Sequence, residues 1–258
     1  MAMNPLRVAV ISLMLAASAS AQVHVAAAIS LKPALEQIAP EYEKQTNQKI
    51  ELSFGSSGQM LAQIRSGAPI DLFISAANAQ VDQLIAEGLA DSAARTVIAG
   101  NTIVLIVPAI AKDPPRSFAD LATPRFRRIS VGEPSTVPAG QYAMQVLTKL
   151  KLADAVRDKL IFGANVRQVL TYVETGEVVA GIVYSTDARE SGSKVRVIAT
   201  ADSGTHDPVV YPAILIRSSR QPDAAKMFLQ YLHSKAAQTV LVEKGFTLPA
   251  SSTTGPAQ

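Results

Sequence analysis

The chain has 258 residues, 48% of them hydrophobic and 17% charged, which excludes a disordered chain and leaves room for two domains of ordinary size. The formal net charge is +3, and the basic residues are scattered apart from the short run Arg125 to Arg128, so a nucleic-acid footprint is excluded. Cysteine is absent, which removes disulfides, thiol chemistry and a lipid-accepting cysteine.

In chain order, residues 1–21 read as an export signal. Arg7 is the positive flank, Val8 to Ala17 the apolar stretch, and Ala19-Ser20-Ala21 the cleavage site before Gln22. Ten apolar residues are too few to span a bilayer, so a mature, soluble protein exported to the periplasm is expected. From Gln22 onward, short β-like runs alternate with amphipathic helical runs. QVHVAAA predicts a buried strand, and the following helix carries Leu31, Leu35, Ile38 and Tyr42 on one face. Pro33 suits a first turn, whereas Pro40 predicts a kink. KIELSF, the helix after Gly58, DLFISA and a helix stopped at Gly88 come next.

NTIVLIVP (Asn101 to Pro108) is a continuous apolar strand, and RRISVGEP is another strand after a proline-marked loop. YAMQVLTKLKL, ADAVRDKL and VRQVLTYVETG predict helices. VAGIVYS, KVRVIA and VVYPAILI predict strands, and two helices precede a loose tail, SSTTGPAQ. The alternation predicts an α/β protein of two lobes, each a mostly parallel sheet flanked by helices, with the two long apolar strands crossing between them. Lobe one is expected at 22–100 plus 206–258 and lobe two at 101–205.

Common catalytic signatures are missing: there is no G-x-S-x-G elbow, Walker A loop or G-x-G-x-x-G. His24, His206 and His233 lie far apart with no ligand spacing, and Asp71 and Glu133 fit turn or capping roles. An enzyme is therefore not expected, and neither is a cofactor. Hydroxyls and small residues instead recur where a strand hands over to a helix: Ser30, the pair Ser56-Ser57, Pro138-Ala139-Gly140 and Asn165-Val166. These are the carboxyl ends of strands, where open α/β sheets bind ligands. Helix N-termini there present unpaired N–H groups and the positive end of the dipole, an anion site that needs no lysine or arginine. Each serine alone also reads as an N-cap, and Tyr184 alone as a core tyrosine.

The stretches AAAISLKPAL, FGSSGQMLAQIRSGAPIDLFISA, VPAGQYA, NVRQVLTYVETGEVVAGIVYSTDA and EKGF, in this order, resemble the periplasmic molybdate-binding proteins of ABC importers from Val25 to Phe246. The resemblance implies a type II periplasmic-binding-protein fold whose lobes close on the ligand. It also implies an oxyanion, molybdate or tungstate, held by Ser30, Ser57 and Tyr184 and by the backbone N–H groups of Ala139 and Val166. An inner-membrane ABC permease is the implied partner, and a monomer is expected. Two positions depart from the family pattern: Asn165 replaces a common aspartate, though asparagine caps as well, and Val179 replaces a frequently polar residue. Another oxyanion binder on the same fold, such as one for sulfate, and a ligand-sensing lobe pair are the alternatives.

Overall fold

The structure is a computed structural model describing residues 22–249, so the expected signal segment and the terminal tail lie outside the described residues. Ten strands follow one another among the described residues: β1 (Val23–Ala28), β2 (Ile50–Gly55), β3 (Leu72–Ile74), β4 (Thr96–Gly100), β5 (Ile103–Pro108), β6 (Ile129–Gly132), β7 (Leu160–Gly163), β8 (Ala180–Tyr184), β9 (Val195–Thr200) and β10 (Val210–Leu215). They form two five-stranded sheets, ordered β2-β1-β3-β10-β4 and β7-β6-β8-β5-β9.

The two orders are the same pattern used twice. In the first sheet β2, β1 and β3 run parallel, and β10 opposes both β3 and β4, so β10 alone is reversed. In the second, β7, β6 and β8 run parallel, and β5 alone is reversed. The reversed strands are those of the two long apolar runs. β5 is buried at every position, as its unbroken apolar sequence requires of a strand covered on both faces. The chain passes from the first sheet to the second through Asn101-Thr102 and returns between Thr200 and Val210.

Helices α1 (Lys32–Thr46), α2 (Ser57–Arg65), α3 (Asn78–Ala86), α4 (Pro138–Lys149), α5 (Ala153–Val156), α6 (Val166–Glu174), α7 (Ser185–Ser191), α8 (Pro222–Tyr231) and α9 (Lys235–Glu243) flank the sheets. α1 buries Leu35, Ile38 and Tyr42 as its period predicts, and it continues without interruption through Pro40. Four elements depart from the sequence reading. The helix expected over ADAVRDKL is only α5 and a 3₁₀ turn, and Leu160 opens strand β7 instead. β4 and α7 are additional. The larger of two apolar clusters runs through both sheets and includes Ala28, Ala139, Val166, Tyr184 and Tyr211, and the smaller packs Phe73 and Ile214 against α2 and α3.

Candidate functional site

The carboxyl ends of β1, β2 and β8 and the first turns of α2, α4 and α6 converge on one small pocket between the two sheets. Ser30, Ser57, Ala139, Val166 and Tyr184, the five residues singled out in the sequence, all line it. None of the residues lining it is charged. Any attraction for an anion must therefore come from dipoles and hydroxyl protons.

Ser56 and Ser57 divide the work that their pairing in sequence left ambiguous. Ser56 caps α2: its hydroxyl accepts from Gln59 N at 3.3 Å, while Gln59 Oε1 accepts from Ser56 N at 3.0 Å, a complete capping box. Ser57 caps nothing. Its fully buried hydroxyl accepts from Ala76 N at 3.0 Å, which leaves its own proton available for the pocket. One residue later the two halves touch through main chain, Gly58 N donating to Thr136 O at 2.9 Å. A side chain at Gly58 would lie 2.6 Å from that carbonyl oxygen, so this approach requires glycine.

Ala139 and Val166 sit in the first turns of α4 and α6, where the N–H groups have no intrahelical acceptor. Pro138 opens α4, and Asn165 caps α6 by accepting from Gln168 N at 3.0 Å, so the asparagine performs the capping that aspartate would. Close packing sets the position of Ala139: a side chain at Gly140 would fall 2.0 Å from Gly132 O on β6.

Ser30, at the end of β1, has its hydroxyl 3.0 Å from Tyr211 Oη. Tyr184 lies at the end of β8 and is 1% exposed, yet its hydroxyl has no hydrogen-bond partner among the described residues. Burial drives its pKa well above the ordinary tyrosine value, so it keeps its proton. Its ring is held edge-on by Tyr142 at 6.5 Å and tilted against Tyr211 at 6.0 Å. A buried hydroxyl with no partner, on a residue that lines an uncharged pocket, is what an acceptor-only ligand would satisfy.

Residues 23–247 match the family of bacterial extracellular solute-binding proteins. The chain belongs to this family. The solute-binding protein is 42% identical over 237 residues to the molybdate-binding protein ModA of Haemophilus influenzae, covering 89% of this chain and 91% of that one. The periplasmic molybdate-binding protein of Azotobacter vinelandii superposes with a TM-score of 0.79 at 26% identity, over 88% of this chain and 99% of the other. The sulfate-binding protein SubI of Mycobacterium tuberculosis reaches the same TM-score of 0.79 at 16% identity over 89% of this chain and 88% of that one, a likeness of fold alone.

Sequence reading missed the outer layer of this solute-binding protein's pocket. Asn101, at the crossing into the second sheet, donates to Tyr211 Oη at 3.2 Å and to Thr186 Oγ1 at 2.9 Å. A polar residue opening an apolar crossing strand was the available signal for Asn101. Tyr211 carried none, since it lies within an apolar strand. Asp187 is buried just after Tyr184, accepting from Tyr184 N at 3.3 Å, and burial pushes its carboxyl up to about 7.

Proposed function

We propose that this protein captures molybdate, and equally tungstate, in the periplasm and delivers it to an inner-membrane ABC permease. It acts as a binder and not as an enzyme, as a monomer, by closing two lobes (22–100 plus 206–258, and 101–205) on the ion. Ser30, Ser57 and Tyr184 donate hydroxyl protons to the oxygens of the ion, and Ala139 and Val166 donate backbone N–H groups. The observation that carries this reading is the orphaned Tyr184 hydroxyl in an uncharged pocket lined by four other candidate donors.

A fully deprotonated tetrahedral dianion is entirely acceptor, so a donor-only pocket satisfies it. Charge-assisted hydrogen bonds contribute about 1.5–3 kcal/mol each, and five of them together exceed an association cost of about 4 kcal/mol or more. Micromolar affinity corresponds to about −8 kcal/mol and is within reach without a buried cation. Hydrogen phosphate brings a proton that needs an acceptor carboxylate, and the lining has none. Sulfate is all-acceptor but smaller, so fixed donors cannot all reach it at hydrogen-bond distance. Tungstate matches molybdate in size and charge, so the pocket does not separate the two.

Calorimetric titration with molybdate, tungstate, sulfate and phosphate tests the proposal. Molybdate and tungstate are expected to bind at micromolar concentration or below, with no heat from the other two. Sulfate binding as tightly as molybdate would reject the specificity, and silence toward molybdate would reject the function.

A further inference from the structure

Ser30 can face an anion in two ways, with its proton or with a lone pair, and only the first is attractive. The hydrogen bonds behind it decide between them. Asn101 Oδ1 accepts from Thr102 N at 2.9 Å, a backbone group that can only donate, which fixes which end of the amide is oxygen. Ser185 donates its hydroxyl to the same oxygen at 2.9 Å. The Nδ2 end, which can only donate, then reaches Tyr211 Oη at 3.2 Å and Thr186 Oγ1 at 2.9 Å.

Tyr211 therefore accepts from Asn101, and the acceptor for its own proton among the described residues is Ser30 Oγ, 3.0 Å away. Ser30 in turn accepts, and its proton is left for the pocket. Ser30, Asn101, Thr186 and Tyr211 are all buried, Tyr211 completely. Reversing this chain of hydrogen bonds would strand the Tyr211 proton in a fully buried position and turn a Ser30 lone pair toward the ligand, and both cost free energy.

We infer that Asn101 and Tyr211 are positioning residues that lock Ser30 as a hydrogen-bond donor, and that through it they set the preference for fully deprotonated oxyanions over protonated ones. The inference rests on the anion-binding reading above and extends it to two residues, neither of which lines the pocket. Asn101 also joins the halves, since its amide reaches Tyr211 on β10 of the first sheet and Thr186 on α7 beside the second.

Asn101→Asp is the deciding variant. Its carboxylate faces Thr102 N–H and the hydroxyls of Ser185, Thr186 and Tyr211, all of which can donate to it, so the fold is kept while the chain runs backwards. Tyr211 then gives its proton to the introduced carboxylate, Ser30 gives its proton to Tyr211, and a lone pair faces the ligand. The added charge repels molybdate and hydrogen phosphate alike, because both are dianions at mildly alkaline pH, so their affinity ratio isolates the polarity of Ser30. Competition titrations of the purified protein with molybdate and inorganic phosphate are expected to show the molybdate preference narrowed by about ten-fold or more. Tyr211→Phe cuts the chain without adding charge and is expected to weaken molybdate binding by about 3- to 10-fold.

An unchanged preference in Asn101→Asp, with thermal unfolding showing a folded protein, overturns the inference. If that variant does not fold, Tyr211→Phe decides alone, and wild-type molybdate affinity there overturns it. Wild-type protein that ignores molybdate would instead reject the anion reading beneath it, so the two failures are told apart.

Discussion

Replacing Tyr184 by phenylalanine separates a ligand-binding hydroxyl from a structural one, because the two roles predict opposite signs. The substitution deletes one oxygen and keeps the ring, so the contacts to Tyr142 at 6.5 Å and Tyr211 at 6.0 Å persist. That oxygen is buried and has no partner among the described residues. In the ligand-free protein its removal relieves an unsatisfied polar group, worth about 1–3 kcal/mol. For a chain of this size each kcal/mol moves the midpoint by about 2–4 °C, so Tm rises by several degrees. In the complex the same change removes a charge-assisted donor, worth about 1.5–3 kcal/mol, or about 10- to 150-fold in Kd. Scanning calorimetry of the ligand-free variant and titration with molybdate measure the two effects. A lowered Tm with unchanged affinity would refute the reasoning, since it would make the hydroxyl part of the scaffold.

Ser57→Ala is expected to weaken molybdate binding by about 1.5–3 kcal/mol and to lower stability as well, because Ala76 N–H loses the oxygen it donates to at 3.0 Å. Titration and thermal unfolding on one sample check both. Gly58→Ala places a methyl group 2.6 Å from Thr136 O; the strain of about 1–3 kcal/mol falls on the approach of the two halves, so affinity drops by roughly 5- to 150-fold while circular dichroism stays unchanged. Asp187 gives a pH signature. Its carboxyl, pushed up from 3.8 to about 7, keeps a proton in the folded chain that the unfolded chain has already released. Its contribution to stability is therefore greatest below about pH 4 and falls as pH rises to about 7. Urea unfolding across that window should show the slope in wild type and lose it in Asp187→Asn, whose amide oxygen can still accept from Tyr184 N.

The parts of the fold that were legible in the sequence are those whose burial is written as an unbroken pattern. β5 and β10 are apolar at nearly every position, and α1, α4 and α6 carry a clear helical period. β7 was lost because Leu-Ile-Phe-Gly is short, follows a helix-like stretch and lies at a sheet edge, where Phe162 is half exposed. α7 was lost because Ser-Thr-Asp-Ala-Arg-Glu-Ser has no apolar period of its own. The candidate site shows the same divide. Serines at strand-to-helix turns are visible as chemistry, whereas Ala139 and Val166 would act through their backbones, so their place at a helix start is the only local signal they carry. Asn101 and Tyr211 stand 110 residues apart, and no local pattern announces that they meet.

The provenance of the strands has a consequence for biosynthesis. The sheet built from β5 to β9 is drawn from one uninterrupted stretch, whereas the other takes its fourth member, β10, from far downstream, and β4 finds its partners, β10 and Thr247, only there. As the polypeptide emerges, the middle section can finish its hydrogen bonding while the opening section still waits for residues 210–215. The half that starts last is thus the first able to be completed, and β4 is left with an unpaired edge in the interval.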